Sequence, residues 1–197
     1  MKLYMHPMSG CSNRVMSFLD HHPEIEIERV HVALEKGEHK GPEYRAKNPM
    51  GRVPLLELDD GSYLFESAAI LKYLMARYAR QDLLAEGTLE ERARLDQWAT
   101  WGLVHLGFVL SRLNAETGLK KMMGQEPDPA KVEACTADVI AHLEIINELL
   151  NASEGDYLCA EHPTLADYMI APNIKASSRL AGLEVPFEAV QTWVSKF

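Results

Sequence analysis

The stretch at 48–74, NPMGRVPLLELDDGSYLFESAAILKYL, constrains the fold more tightly than any other part of the chain. Pro54 opens the apolar run 53–58. Proline lacks an N–H and is tolerated at the start or edge of a strand, so the run reads as a strand that begins there. Asp59-Asp60-Gly61 makes a tight hairpin, because Gly61 reaches positive φ at no steric cost. Residues 62–65 return as the partner strand. The pattern then becomes helical, with Ile70, Leu71, Leu74 and Tyr78 on one face. Glu66-Ser67 sits at the start of that helix, where unpaired backbone N–H groups suit a ligand carboxylate.

Upstream, residues 2–5 read as a short buried strand, and His6-Pro7-Met8-Ser9-Gly10 as a loop. A helix follows from about Ser12, a residue type suited to the N-cap, with Val15, Phe18 and Leu19 on one face and Pro23 as its end. Residues 26–32 alternate as a second strand. The connection 33–49 is polar and holds a short helix at 42–47. A strand-helix-strand start demands a parallel pair with a right-handed crossover. The hairpin adds antiparallel strands, so a small mixed sheet with helices on both faces accounts for residues 1–78.

Residues 79–88 read as a polar linker, and no strand pattern follows it. Residues 89–113 form a long helix with Leu95, Trp98, Gly102, Leu106, Val109 and Leu113 at helical spacing. A loop is expected at 115–129, then a helix at 129–150 carrying a stripe from Val132 to Leu150. Thr164-Leu165-Ala166-Asp167 has capping-box spacing, with Asp in place of the usual Glu or Gln. Pro172 is expected to kink or end that helix. A last helix covers 187–197. The domains are therefore 1–78, the linker 79–88, and 89–197, all helical.

The net charge of −9 disfavours nonspecific binding to nucleic acid or anionic membranes, which need a basic surface. The three cysteines, Cys11, Cys135 and Cys159, fit no zinc or disulfide spacing, and a reducing, cytoplasmic setting is the simplest reading. The N-terminus lacks the apolar core of a signal peptide, and no apolar run approaches a membrane span. His21-His22 is no metal pair, since adjacent helical residues point apart; no metal is expected.

In SGCSNRV (9–15) a nucleophile-activating group lies just before a helix N-terminus, whose positive end stabilises a thiolate. Thioredoxin-like proteins place Cys-x-x-Cys here. Ser9 and Ser12 stand at the two cysteine positions, so dithiol exchange is excluded, but a hydroxyl can donate to a thiolate held by a ligand. Gly51-x-Val53-Pro54-Leu55-Leu56 followed by Glu66-Ser67-Ala68-x-Ile70 resembles the signature of the glutathione S-transferases. The likeness extends more loosely over nearly the whole chain. It implies an α/β thioredoxin-like N-terminal domain plus an all-α C-terminal domain, glutathione as co-substrate, and a homodimer. His-Pro-x-Ser followed by Arg-Val resembles the phi and theta classes, and Ser-x-Cys-Ser-x-Arg-Val the zeta class, whose members isomerise maleylacetoacetate.

By this resemblance Ser9 activates the glutathione sulfur. Cys11 resembles a cysteine that forms a mixed disulfide with glutathione in beta-class relatives, and is otherwise a small packed thiol. Gly37-Glu38-His39-Lys40 matches a phi-class segment, and His39 and Lys40 are expected as a cationic pair on the glycyl carboxylate. Arg52 assists electrostatically. Val53 offers its backbone before Pro54, whose peptide bond is cis in the family. Glu66 and Ser67 hold the γ-glutamyl end. The pocket for an electrophilic, largely apolar small molecule is assigned to Met5, Met8, His105, Phe108, Val109 and Arg112. Rival readings are a zeta-like isomerase that returns its glutathione, a thiol transferase using Cys11, and a glutathione-binding scaffold without activity.

Overall fold

The computed structural model describes residues 1–78, 80, 88–153 and 155–197. Two compact units divide it, Met1–Arg80 and Gln81–Phe197. Most of the expected linker, 79–88, lies outside the described residues.

The first unit runs β1 (Lys2–Met5), α1 (Gly10–His21), β2 (Glu28–His31), α2 (Pro42–Lys47), β3 (Leu55–Glu57), β4 (Tyr63–Phe65) and α3 (Ser67–Arg77). The four-stranded sheet has the order β2-β1-β3-β4. β1 pairs parallel with β2 and antiparallel with β3, and β3 pairs antiparallel with β4. This is the mixed, thioredoxin-like sheet expected from the sequence. Alternation along the strands divides the core. Tyr4 and Leu55 are cross-strand partners and pack with Val32 and Tyr44 of α2 on one face. Leu3 and Leu56, also partners and both fully buried, turn to the other face. There α1 packs on α3, with Val15, Phe18 and Leu19 buried from one helix and Ile70, Leu71 and Leu74 from the other.

Three local expectations need correction. The strands are shorter than the stretches 26–32 and 53–58: Ile25 and Val53 pack from the flanking loops, and Val32, just past the end of β2, keeps one backbone bond to the Met5 carbonyl at 3.0 Å. α1 starts at Gly10 rather than Ser12, and its N-cap is Ser9, whose hydroxyl accepts the Ser12 N–H at 3.2 Å. Ser12 is fully buried, and its hydroxyl accepts the His6 N–H at 3.3 Å.

In the second unit a capping box between Thr88 and Glu91 opens α4 (Leu89–Trp101). The helical path then runs through a π-helical segment (Gly102–Leu106), α5 (Gly107–Asn114), a second π segment (Ala115–Leu119) and α6 (Lys120–Met122). The loop expected at 115–129 is therefore confined to about residues 123–128. Gly118 reads as a helix breaker, but its value is spatial: a Cβ there would stand 2.4 Å from the Leu180 carbonyl oxygen. α7 (Pro129–Ala152), α8 (Leu165–Ala181) and α9 (Glu188–Ser195) complete the unit. Pro172 lies inside α8 and does not end it. α8 is the central element, buried along most of its length and packed by α4, α5 and α9. Among the described residues no helix is long and apolar enough to cross a membrane.

Candidate active site

The sheet register gathers the candidate residues of the first unit at one end. Tyr4 pairs with Leu55, and Leu55 with Phe65. The end of β1, the start of β3 and the end of β4 are therefore neighbours. Their continuations are the 6–9 loop, the Val53-Pro54 segment and Glu66-Ser67.

Local hydrogen bonds fix the first of these. The Ser9 N–H donates to the His6 carbonyl at 3.0 Å, and the Asn13 side chain donates to the Pro7 carbonyl at 2.8 Å. Met8 N–H donates to His6 Nδ1 at 3.2 Å, which places the ring proton on Nε2, 3.7 Å from Glu35. Burial and the neighbouring His31 push His6 below its ordinary value. Ser9 is half-buried at the N-cap of α1. Because the Ser12 N–H occupies an acceptor lone pair of the Ser9 oxygen, the Ser9 hydroxyl proton is left to donate. Cys11, two residues on, is exposed.

The Val53–Pro54 peptide bond is cis. The turn before it is held from several sides. The Arg52 carbonyl accepts from Tyr44 Oη at 2.9 Å and Asn48 Nδ2 at 2.8 Å, and Lys40 Nζ donates to the Gly51 carbonyl at 2.9 Å. Gly51 has φ +55°, and a Cβ would meet the His39 carbonyl oxygen at 2.6 Å, so only glycine fits where the two loops touch. The Arg52 side chain is exposed. Burial, Lys40 and His6 push His39 below its ordinary value of 6.5. Burial and its neighbours thus disfavour the charged form of His39 within the pair expected at 39–40.

Glu66 is exposed and holds φ 73°, the non-glycine positive φ among the described residues. Such a conformation costs about 1–3 kcal/mol and collects at ligand clamps. It lets the chain turn from β4 into α3, whose first turn no side chain caps. Ser67, the first residue of α3, is buried, and its hydroxyl accepts Arg14 Nη1 at 3.3 Å. Arg14 is 1% exposed and also directs Nη1 to Cys11 Sγ at 3.9 Å. Nothing in the spacing of Arg14 marks it as buried. Asn48 and Tyr44, which brace the turn, were likewise not singled out.

The residues assigned to the electrophile are spread over both units. Met5 ends β1 half-buried, and Met8 is exposed. In the helical unit His105 lies exposed within the first π segment. Phe108 is 62% exposed, with the Arg112 guanidinium 5.9 Å from its ring. Arg112 is ion-paired with Asp138 at 2.9 Å. Val109 is almost fully buried.

A thioredoxin-like unit with a hydroxyl capping its first helix, followed by a helical unit, is the architecture of one large class of proteins. The family model described as "Glutathione S-transferase, N-terminal domain" matches residues 1–76. Glutathione S-transferase F12 of Arabidopsis thaliana is 34% identical over 175 residues, covering 87% of this chain and 78% of that protein. The crystal structure of glutathione transferase F7 from Populus trichocarpa superposes with a TM-score of 0.84 at 29% identity, over 98% of this chain and 91% of that one. A glutathione S-transferase-I bound with lactoylglutathione gives 0.76 at 28% identity, over 100% and 99%. The chain belongs to the glutathione S-transferase family.

Proposed function

We propose that the protein is a glutathione transferase in which Ser9 stabilises the glutathione thiolate for attack on an electrophilic, largely apolar small molecule. The observation that carries this reading is the position of Ser9: an N-cap whose acceptor site is filled by the Ser12 N–H, leaving its proton free at the positive end of α1. A relative of known structure is bound with lactoylglutathione, which supports a glutathione-type ligand here. The carboxylate of the γ-glutamyl end is assigned to Ser67 and the uncapped first turn of α3, and its amino group to Glu66. The Val53 backbone, before the cis bond to Pro54, pairs with the peptide of the ligand. His39 and Lys40 are assigned to the glycyl carboxylate, and Arg52 assists electrostatically.

A free thiol has a pKa of about 8.5. Lowering it by about two units requires about 2.7 kcal/mol of preference for the thiolate. One hydrogen bond to a charged group contributes about 1.5–3 kcal/mol and the helix dipole about 0.3–1 kcal/mol, which together suffice. By family resemblance Met5, Met8, His105, Phe108, Val109 and Arg112 are assigned to the electrophile, and a cytoplasmic homodimer is supported on the same ground.

Calorimetric titration with glutathione in two buffers of different ionisation enthalpy tests this. The wild type is expected to release a proton on binding near pH 7, and Ser9→Ala to bind without that release. Proton release retained in Ser9→Ala moves the chemistry away from Ser9. The exposure of Cys11 favours a second reading, a thiol transferase; Cys11→Ser abolishes turnover of mixed disulfides if that reading holds.

A further inference from the structure

We propose that Arg14 is a positioning residue of the glutathione site: its buried guanidinium orients the Ser67 hydroxyl toward the γ-glutamyl carboxylate and supplies the positive charge beneath it. The inference rests on the glutathione reading above.

Arg14 is 1% exposed, yet among the described residues no carboxylate lies within ion-pair distance of it. Its Nε–H is buried without a hydrogen-bond partner. A guanidinium in this condition is costly unless an anion compensates it. Burial drives its affinity for the proton down, and the nearby Cys11 and Glu66 oppose that. Nη1 addresses two residues of the candidate site. Ser67 Oγ lies at 3.3 Å, at the start of α3, and Cys11 Sγ at 3.9 Å, in the first turn of α1. A hydroxyl has one proton and two acceptor sites. With one acceptor site taken by the guanidinium N–H, the Ser67 proton is directed elsewhere and polarised as a donor. The next residue back, Glu66, is held at φ 73°, and no side chain caps the helix that Ser67 begins. A carboxylate seated there meets the Ser67 hydroxyl, the free N–H groups of the first turn and the field of Arg14 at once. Arg14 does not touch the ligand; it acts through Ser67 and through its charge.

Two ligands isolate this effect. S-methylglutathione has no thiol to ionise, and S-methylated 4-aminobutyryl-cysteinyl-glycine is the same molecule without the γ-glutamyl carboxylate. The wild type is expected to prefer the first by at least about tenfold in calorimetry. Arg14→Lys and Arg14→Gln, checked for folding by circular dichroism, are expected to lose most of that preference while binding the second ligand within about twofold of wild type. An equal loss for both ligands assigns Arg14 a structural role only, and an unchanged preference removes the role altogether; either overturns the inference. Wild type that binds neither ligand overturns the glutathione reading itself, and the inference with it. Should neither variant fold, the Arg14 Nε–H resonance of the wild type decides. It is expected to shift with S-methylglutathione and much less with the decarboxylated ligand, and equal shifts overturn the inference.

Discussion

Ser9 combines two duties in one hydroxyl, and the two separate by substitution. As the N-cap of α1 it accepts the Ser12 N–H; as the assigned sulfur ligand it donates. Alanine removes both, and losing a cap costs about 1 kcal/mol. Aspartate caps as well as serine does but places a negative charge where the thiolate must sit. Ser9→Asp is therefore expected to keep the thermal midpoint close to wild type while losing at least about 90% of the activity toward a chromogenic aryl halide. Ser9→Thr is expected to keep both properties. A Ser9→Asp variant with wild-type activity sinks the assignment. At this scale the sequence was informative where a motif carried backbone geometry, as at the cis Val53–Pro54 bond. It misled where a partner decides a role. Ser12 has the residue type of a cap, yet its hydroxyl is buried under the His6 N–H. His39 beside Lys40 reads as paired charge, yet burial, Lys40 and His6 disfavour its charged form.

Among the elements, α8 shows how one legible motif reaches further than its own helix. The capping box is present: Asp167 accepts from both the Thr164 N–H and its hydroxyl, each at 2.8 Å. The same carboxylate accepts the Leu158 N–H at 3.0 Å and the Trp193 indole N–H of α9 at 3.0 Å. Burial pushes the Asp167 carboxyl up, and these donors hold it down. Thr-x-x-Asp announced the cap; the bond to Trp193, 26 residues away, had no local signal. Removing the carboxylate strands several buried donors, each costing about 1–3 kcal/mol before relaxation. Asp167→Ala is expected to lose about 3–5 kcal/mol of unfolding free energy, read from the urea midpoint. Asp167→Asn, which keeps one acceptor oxygen, is expected to lose less. A shift below about 1 kcal/mol for Asp167→Ala shows that the network carries little. The π segments at Gly102–Leu106 and Ala115–Leu119 were not legible. Helical periodicity tolerates them, and packing against α8 is a property of the folded unit rather than of either segment.

For the molecule as a whole, the two-part architecture was legible because the hydrophobic period changes from two to helical and does not change back. What the sequence did not disclose is how its titrating groups are divided between pH windows. Three histidines of the first unit are held below 6.5. Burial is the largest cause for each, followed by His31 for His6, Arg80 for His22 and Lys40 for His39. A lowered folded-state value means that the unfolded chain takes up protons first as the pH falls. The stability these groups contribute is complete above 6.5 and drains away as the pH falls through their folded values. Asp59, Asp60 and Glu116 are also lowered, but from 3.8, 3.8 and 4.5, so their contributions are lost only in more acidic solution. Asp167, pushed up by burial, works the other way because its folded form takes up the proton first, so the histidine contribution is read as the difference between wild type and a variant that lacks them. The histidines are expected to lower the thermal midpoint as the pH falls from 7 to 5. The fall is expected to flatten in a His6→Gln, His22→Gln double variant, even if its midpoint at pH 7 is somewhat lower. A double variant whose midpoint falls as steeply as that of wild type between pH 7 and pH 5 contradicts the assignment, because His6 and His22 then lose no proton affinity on folding.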